Sequence, residues 1–230
     1  MTSTPLQISD ISIIIPTLNE ETNLKSLAHN LGGGKYEVII VDGGSTDSTV
    51  RLARENHFRV LQCSPGRASQ LNLGAHKAHG RVLLFLHADT RLPGNFAKAI
   101  LRAITPNTHS AGAFRLAIAS PTFAMRFIAI CANLRSTLWQ LPYGDQALFV
   151  RKEKFLQLGM FPEVPIMEDY LFIKIAKKSG KIVLLKEEVI TSARRWQRLG
   201  VLRTTLINQL IIFGYYLRIP LEKLALFYRR

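Results

Sequence analysis

The chain is short of cysteine, of acid and of any long apolar run, and each shortage removes a class of protein. Its 230 residues hold two cysteines, Cys63 and Cys131, too few for a disulfide framework. No CxxC or Cys/His spacing argues for zinc. The two thiols read as reduced and mostly buried. The longest late apolar run, Leu210 to Leu217, is too short to span a bilayer. The first residues, MTSTPLQISD, have neither a basic start nor an apolar stretch, unlike a secretory signal. No repeat, low-complexity tract or Pro/Gly/Ser-rich linker divides the sequence, so one domain is expected over 1–230. Acids number 16 against 30 Lys and Arg, a net charge of +14. That imbalance implies anionic partners (nucleotide or lipid phosphates, acidic lipid, nucleic acid) without choosing among them. Much of the excess is late: Arg194, Arg195, Arg198, Arg203, Arg218, Lys223, Arg229 and Arg230.

What is present is an alternation. Ile11 to Ile15, Glu37 to Val41, Arg59 to Gln62 and Arg81 to Leu86 are short, β-rich apolar runs. Between and after them come helical stretches: Glu20 to Leu31 with Asn19 as a cap, Ser45 to Asn56 with Ser45 as a cap, Arg67 to His79, and Pro93 to Ile104. Strands alternating with helices of this length predict a parallel α/β sheet with right-handed crossovers. The back half is less regular. Strands are expected at Gly112 to Ile118, Ala147 to Val150 and Ile182 to Leu185, and helices at Thr122 to Trp139, Glu168 to Lys178 and Leu199 to Leu217.

The ligand crevice of an open parallel sheet lies at the carboxyl ends of its strands. Two runs end there in acids: VIIVDGG at Asp42, and VLLFLHADT at His87 and Asp89. Asp42 suits either a base imide or ribose hydroxyl, or a plain turn and helix cap. Gly43 and Gly44 permit a tight turn, but the string is neither GxGxxG nor a Walker loop. Asp89 follows an apolar run, where an acid is costly without a cation or hydrogen bonds, and a hard divalent ion bridging to a diphosphate would supply one. His87 is a second ligand, a ribose contact or a strand-end residue. PTLNEE, from Pro16, opens a helix from a strand end, which suits an anion or an ordinary cap. Arg67 begins a helix, mildly against the dipole, and is either compensated by an acid or ligand or simply a solvated arginine. Asp145 sits in a Gly turn, Glu168 and Asp169 at a helix start, and Arg194 and Arg195 beside Trp196, a grouping that suits phosphate or stacking.

In order, IIIPTLNEE, VDGGSTDST, LHAD, ED and RRW resemble a family 2 glycosyltransferase of the GT-A fold, over nearly the whole chain. GRASQLN, LLFLHADT, PYGDQALF, MEDY and SARRW resemble, more narrowly, a small bacterial subgroup without a membrane anchor. The resemblance implies a Rossmann-like, mainly parallel sheet with a nucleotide-binding half at about 8–118 and an acceptor half at about 119–230. Pro16, Thr17, Asn19 and Glu20 match the first nucleotide-binding segment, Asp42 the acid that reads the base, and Arg67 a segment that also contacts it. His87 and Asp89 occupy the DXD element, whose last acid binds Mn²⁺ or Mg²⁺; His87 replaces its first acid and is carried with the nucleotide contacts. Asp169 matches the catalytic base of the ED element, with Glu168 beside it. Asp145 and Gln146 fall where acceptor or sugar would be held. Arg195 and Trp196 match the end of QxxRW and, with Arg194, would face phosphate; Ser192 stands in place of its Gln, which with the missing membrane helices implies a non-processive enzyme.

The reaction so implied is inverting: an acceptor hydroxyl displaces a nucleoside diphosphate, most commonly UDP, from a nucleotide sugar. Its partners are that donor and an acceptor that a lipid could carry, with no nucleic acid. The expected place is the cytoplasm, with the inner membrane face as a docking option. Two rivals stay open, a nucleotidyltransferase and a non-catalytic protein binding nucleotide or anionic membrane. For the late stripe Leu206, Leu210, Phe213 and Leu217, the alternatives are a helix packed on the sheet and a face for anionic lipid.

Overall fold

The computed structural model describes residues 5–105 and 109–228; Arg229 and Arg230 of the basic tail lie outside them. The front half follows the alternation. Strands β1 (Ile11–Thr17), β2 (Glu37–Asp42), β3 (Arg59–Gln62) and β4 (Val82–Phe85) alternate with helices α1 (Glu21–Leu31), α2 (Thr49–Glu55) and α3 (Arg67–Lys77). A two-residue strand, β5 (Thr90–Arg91), and helix α4 (Phe96–Ile104) follow. The back half holds β6 (His109–Ala119), α5 (Phe123–Trp139), β7 (Phe149–Arg151), α6 (Lys152–Gln157), α7 (Glu168–Lys178), β8 (Lys181–Ser192), α8 (Arg194–Leu199), α9 (Val201–Tyr216) and α10 (Leu221–Tyr228).

One eight-stranded sheet runs through both halves in the order β3-β2-β1-β4-β7-β6-β8-β5. β3, β2, β1 and β4 are parallel, as are β6 and β8. β7 is antiparallel to both β4 and β6, and β5 to β8. The sheet is therefore mixed, mainly parallel. Successive β1 side chains serve opposite faces, as a period of two requires. Ile13 and Ile15 enter a core with Leu24, Leu27 and Ile100 under α1 and α4. Ile14 enters the other with Leu71, Ala75, Phe155 and Phe172 under α3, α6 and α7.

This topology gathers the chemistry on one edge. Thr17 pairs with Asp42 across the parallel ends of β1 and β2. β4 runs the same way and delivers His87 and Asp89. β7 runs back, so the segment before it, with Asp145, starts at that same edge. β8 ends there too, Thr191 pairing with Thr90, and hands on Arg194 to Trp196.

Several expectations are corrected. β8 continues past Leu185 because the β6–β8 ladder breaks after Leu184 and resumes at Glu188, leaving Lys186 and Glu187 in a bulge where Glu187 meets Arg102 at 3.0 Å. α2 begins at Thr49, not Ser45; Ser45 instead gives its N–H to Asp42 at 2.9 Å. Asn19 is no helix cap: with φ of +54° its side chain reaches the Thr46 N–H, 2.9 Å away. Neither thiol is fully buried; Cys131 is exposed on α5 and Cys63 half-buried. The late stripe is no core face. Leu206, Leu210, Phe213 and Leu217 are exposed, and Ile207 and Ile211 one position on carry the packing. That packing is against Met167 and Tyr170 at the start of α7 and Leu224 of α10. Among the described residues no helix is long and apolar enough to cross a membrane.

Candidate active site

A cleft of about 510 Å³ opens at the shared edge. Arg67, His87, Asp89, Asp145, Glu168 and Asp169 line it, together with Arg195 and Trp196. The rest of the lining is largely apolar: Pro165, Ile166, Met167, Ile211 and Ile212, with Tyr143, Tyr170 and Tyr228.

The conflict at Arg67 has a structural answer. Its guanidinium sits at the first residue of α3, and its Nε is 2.8 Å from Glu168 Oε1. The acid that the helix dipole calls for thus arrives from a segment a hundred residues on. Arg67 Nη2 also meets His87 Nε2. A guanidinium only donates, so Nε2 accepts and the His87 proton belongs on Nδ1. Burial, and then the charge of Arg67, hold the His87 pKa well below its ordinary value, which keeps the ring neutral. In this arrangement neither ring nitrogen has a lone pair left for a metal.

Glu168 and Asp169 share the first turn of α7 but have different surroundings. Glu168 is 6% exposed. Burial raises its pKa, the neighbouring Asp169 charge adds to this, and Arg67 opposes it. Asp169 is half-buried; its Oδ2 accepts the Gly144 N–H at 2.5 Å and its Oδ1 the Tyr170 N–H at 2.7 Å. Met167, just before them, has a left-handed φ of +69°, a strained backbone for a residue with a side chain. Gly144 is held close: a Cβ there would lie 2.8 Å from Asp169 Oδ2 and 3.1 Å from Arg67 Nη2. Asp145, next along, keeps a buried Oδ1 with no hydrogen-bond partner. Burial lifts its pKa to about 6, with Arg135 pulling down and Asp169 pushing up.

On the side of β1 and β4, Arg194 Nη2 lies 3.3 Å from both Asp89 Oδ2 and Glu20 Oε2. The two acids outweigh desolvation and raise its pKa. Thr17, Asn19 and Asp42 form the adjoining strand ends and stand outside the cleft lining. Asp42 is fully buried; Oδ2 takes the N–H groups of Gly44 and Ser45, and Oδ1 the hydroxyls of Ser45 and Thr17. Its carboxylate is spent on its own loop. Gln70 of α3 staples the same strand ends, its Nε2 donating to Thr17 O and Val41 O at 2.9 and 2.7 Å. Pro16, in β1, precedes them.

Gln146 is corrected. It is fully buried, donates Nε2 to Phe114 O at 3.0 Å and accepts the Ser136 hydroxyl at 2.7 Å through Oε1. Its side chain fastens the Gly144–Gln146 turn to β6 and α5 rather than facing the cleft. Arg195 lies over the Tyr228 ring, 3.7 Å from its centroid, with its pKa lowered by burial and then by Arg198. Trp196 Nε1 is buried without a partner. Gly144, Tyr143, Tyr228 and the α9 positions Ile211 and Ile212 were not foreseen as part of the site. For Gly144 a signal existed, since a glycine directly before a strand-end acid marks close backbone approach; for the α9 residues none did.

For a divalent ion the donor set is thin. Among the described residues no group of three or more His, Cys, Asp or Glu could hold one. Asp89 offers one part-exposed, hard carboxylate in the cleft. That fits an ion shared with the phosphates of a substrate, as Mg²⁺-like ions are commonly held, and not one caged by protein alone.

A mainly parallel α/β sheet with a charged cleft at its carboxyl edge defines the class. The profile of Glycosyl transferase family 2 matches residues 12–156, and the chain belongs to that family. Among curated relatives, the dodecaprenyl-phosphate galacturonate synthase of Rhizobium johnstonii is 28% identical over 102 residues, 38% of this chain and 30% of that one. The chain thus spans about a third of the length of the curated relatives it matches. Among solved structures, S. aureus TarS 1-349 in complex with UDP-GlcNAc superposes with a TM-score of 0.62 at 20% identity, covering 79% of this chain and 58% of that one. The mannosyltransferase PcManGT of Pyrobaculum calidifontis, in complex with GDP-Man and Mn2+, gives 0.61 at 21% identity over 79% and 56%. At such identities the likeness establishes the shared GT-A fold.

Proposed function

We propose that the chain is an inverting, non-processive glycosyltransferase that moves a sugar from a nucleotide sugar, a UDP-sugar first, to the hydroxyl of a lipid-linked acceptor at the cytoplasmic face of a membrane. Asp169 is the observation that carries this reading. It is a half-buried carboxylate on the cleft, oriented by the Gly144 N–H, while its neighbour Glu168 is buried and tied to Arg67. An oriented acid with a free approach is what a general base requires. Asp169 takes the proton of the acceptor hydroxyl; the oxygen bonds to the anomeric carbon as the bond to the diphosphate breaks. Inversion follows from this single displacement, and no side-chain nucleophile is needed. Arg67 and His87 hold the donor side, and Arg194, Arg195 and Trp196 face the diphosphate. Asp89 would hold the divalent ion, Mn²⁺ or Mg²⁺, whose charge offsets that of the leaving diphosphate when bound. Asp145, with its unpartnered oxygen, is placed to accept from a sugar or acceptor hydroxyl. The largely apolar remainder of the cleft, and a relative named for dodecaprenyl phosphate, support the lipid-linked acceptor.

The test is release of nucleoside diphosphate from UDP-sugars with Mn²⁺ and a lipid-linked acceptor that bears a free sugar hydroxyl. Asp169→Asn is expected to lower turnover by roughly 10²–10⁴-fold with donor affinity retained. Pyrophosphate release would indicate a nucleotidyltransferase instead; nucleotide binding without any product would indicate a binding protein.

A further inference from the structure

Helix α9 is apolar on both sides, and only one side is covered. Thr204, Ile207, Ile211 and Gly214 are buried; Ile207 and Ile211 pack with Met167 and Tyr170 of the α7 start and Leu224 of α10, and Gly214 faces Leu224. Leu202, Leu206, Leu210, Phe213 and Leu217 form the other stripe, at helical spacing, and Leu202 is 87% exposed. A helix apolar all round is normally enclosed, so the outer stripe calls for an occupant.

The surrounding charge selects one. From Arg194 to Lys223 the sequence holds six Arg and Lys and a single acid, Glu222. Arg198, Arg203, Arg218 and Lys223 are all exposed. A second copy of this chain docked by the same face would set these cations against their own counterparts. An anionic bilayer accepts both features at once, apolar side chains below the headgroups and arginines among them. The register of α9 adds a geometric reason, since Asn208, Ile211 and Ile212 of the same helix line the cleft. We infer that the outer face of α9, with its flanking arginines, docks on an anionic lipid surface and seats the cleft at the bilayer. This goes beyond the transferase reading by naming a surface and its partner, and it does not depend on turnover.

Co-sedimentation of the purified full chain tests it, using mixed phosphatidylglycerol–phosphatidylcholine vesicles and pure phosphatidylcholine vesicles. Binding is expected to the mixed vesicles only, and to weaken as salt is added. Arg203→Glu with Arg218→Glu is expected to lower partitioning by roughly tenfold or more. Leu206→Ser with Phe213→Ser is expected to do the same, and both positions are more than half exposed, so the fold does not rest on them. Diphosphate release on a water-soluble short-chain acceptor should persist in both variants. The inference is overturned by no sedimentation with mixed vesicles at low salt, by equal binding to neutral vesicles, or by binding that both variants leave intact. It is equally overturned if sedimentation velocity shows a dimer that the leucine–phenylalanine variant dissociates, because the occupant is then a second copy. None of these outcomes bears on diphosphate release, so the docking face and the transferase reading fail separately.

Discussion

Gly144 concentrates the site's geometry in one atom that is not there. A methyl group at this position would meet Asp169 Oδ2 at 2.8 Å and Arg67 Nη2 at 3.1 Å. Gly144→Ala is therefore expected to push Asp169 off its N–H donor and lower kcat by roughly 10²-fold, the usual result of misplacing a reacting group by about 1 Å. Steady-state kinetics check it: a fall in kcat with donor KM near that of the native chain is the expected pattern. Asp145 gives a second prediction. Its folded pKa, about 6, lies above the ordinary value for Asp because burial disfavours the charge. The folded state then binds the proton more tightly than the unfolded chain, so its contribution is fully present below about pH 4 and is lost as pH rises through about 6. Asp145→Asn removes that loss, so in urea melts the variant should gain stability over the native chain between pH 4.5 and 7.5. At this scale the sequence was legible where physics demanded a partner. The cation at the start of α3 suggested a compensating acid or ligand rather than plain solvation, and Glu168 is the acid that meets it. It was illegible where a side chain spends itself on distant backbone: Asn19 on Thr46, and Gln146 on Phe114.

Among the elements, α3 shows how closely the site's scaffold is packed. Gly74 lies mid-helix, where alanine ordinarily stabilises by about 1 kcal/mol. Here a Cβ would come 2.4 Å from Ile14 Cγ2 of β1 and 3.0 Å from Val41 Cγ2 of β2. Overpacking of that kind costs about 1–3 kcal/mol, so Gly74→Ala is expected to destabilise despite the better helix former. Denaturant unfolding decides the sign; a stabilised variant would mean that α3 rides higher on the sheet than described. β1, β2 and β4 were legible because each carries a continuous apolar run buried along most of its length; β3, only partly buried, was legible from the alternation around it. β8 was half legible, since Lys186 and Glu187 fall in a bulge that interrupts the ladder with β6, so the apolar run stops before the strand does. β5 is two residues long and owes its existence to its pairing with β8, which no local pattern announces. α10 was missed because its buried pair, Leu224 and Ala225, makes sense only once α9 is in place beneath it.

For the whole molecule, one guanidinium joins what the chain order separates. Arg194, entering α8 after the last strand, touches Glu20 at the end of the first strand's loop and Asp89 after the fourth. The sequence reading put Glu20 and Asp89 after strand ends but not Arg194, because it stopped the last strand at Leu185; the mixed sheet brings all three to one edge. A ligand held at that edge contacts segments from both halves of the chain, so its binding energy should appear as global stability. At 100 times its Kd, a ligand specific for the folded state stabilises by about 2.7 kcal/mol. For a chain of this size that corresponds to a rise in Tm of roughly 5–10 °C. UDP with Mn²⁺ is expected to give such a rise, and UDP alone a smaller one, if Asp89 and the diphosphate share the ion. Asp89→Asn should erase the difference between the two. It should leave the Tm of the free protein within a few degrees, because the Asp89–Arg194 pair is partly exposed and long, and such pairs contribute about 0–1 kcal/mol. A variant that keeps the full Mn²⁺-dependent rise would remove Asp89 from the metal site. A variant whose free form melts far lower would instead make the Arg194 bridge a main tie between the two halves of the molecule.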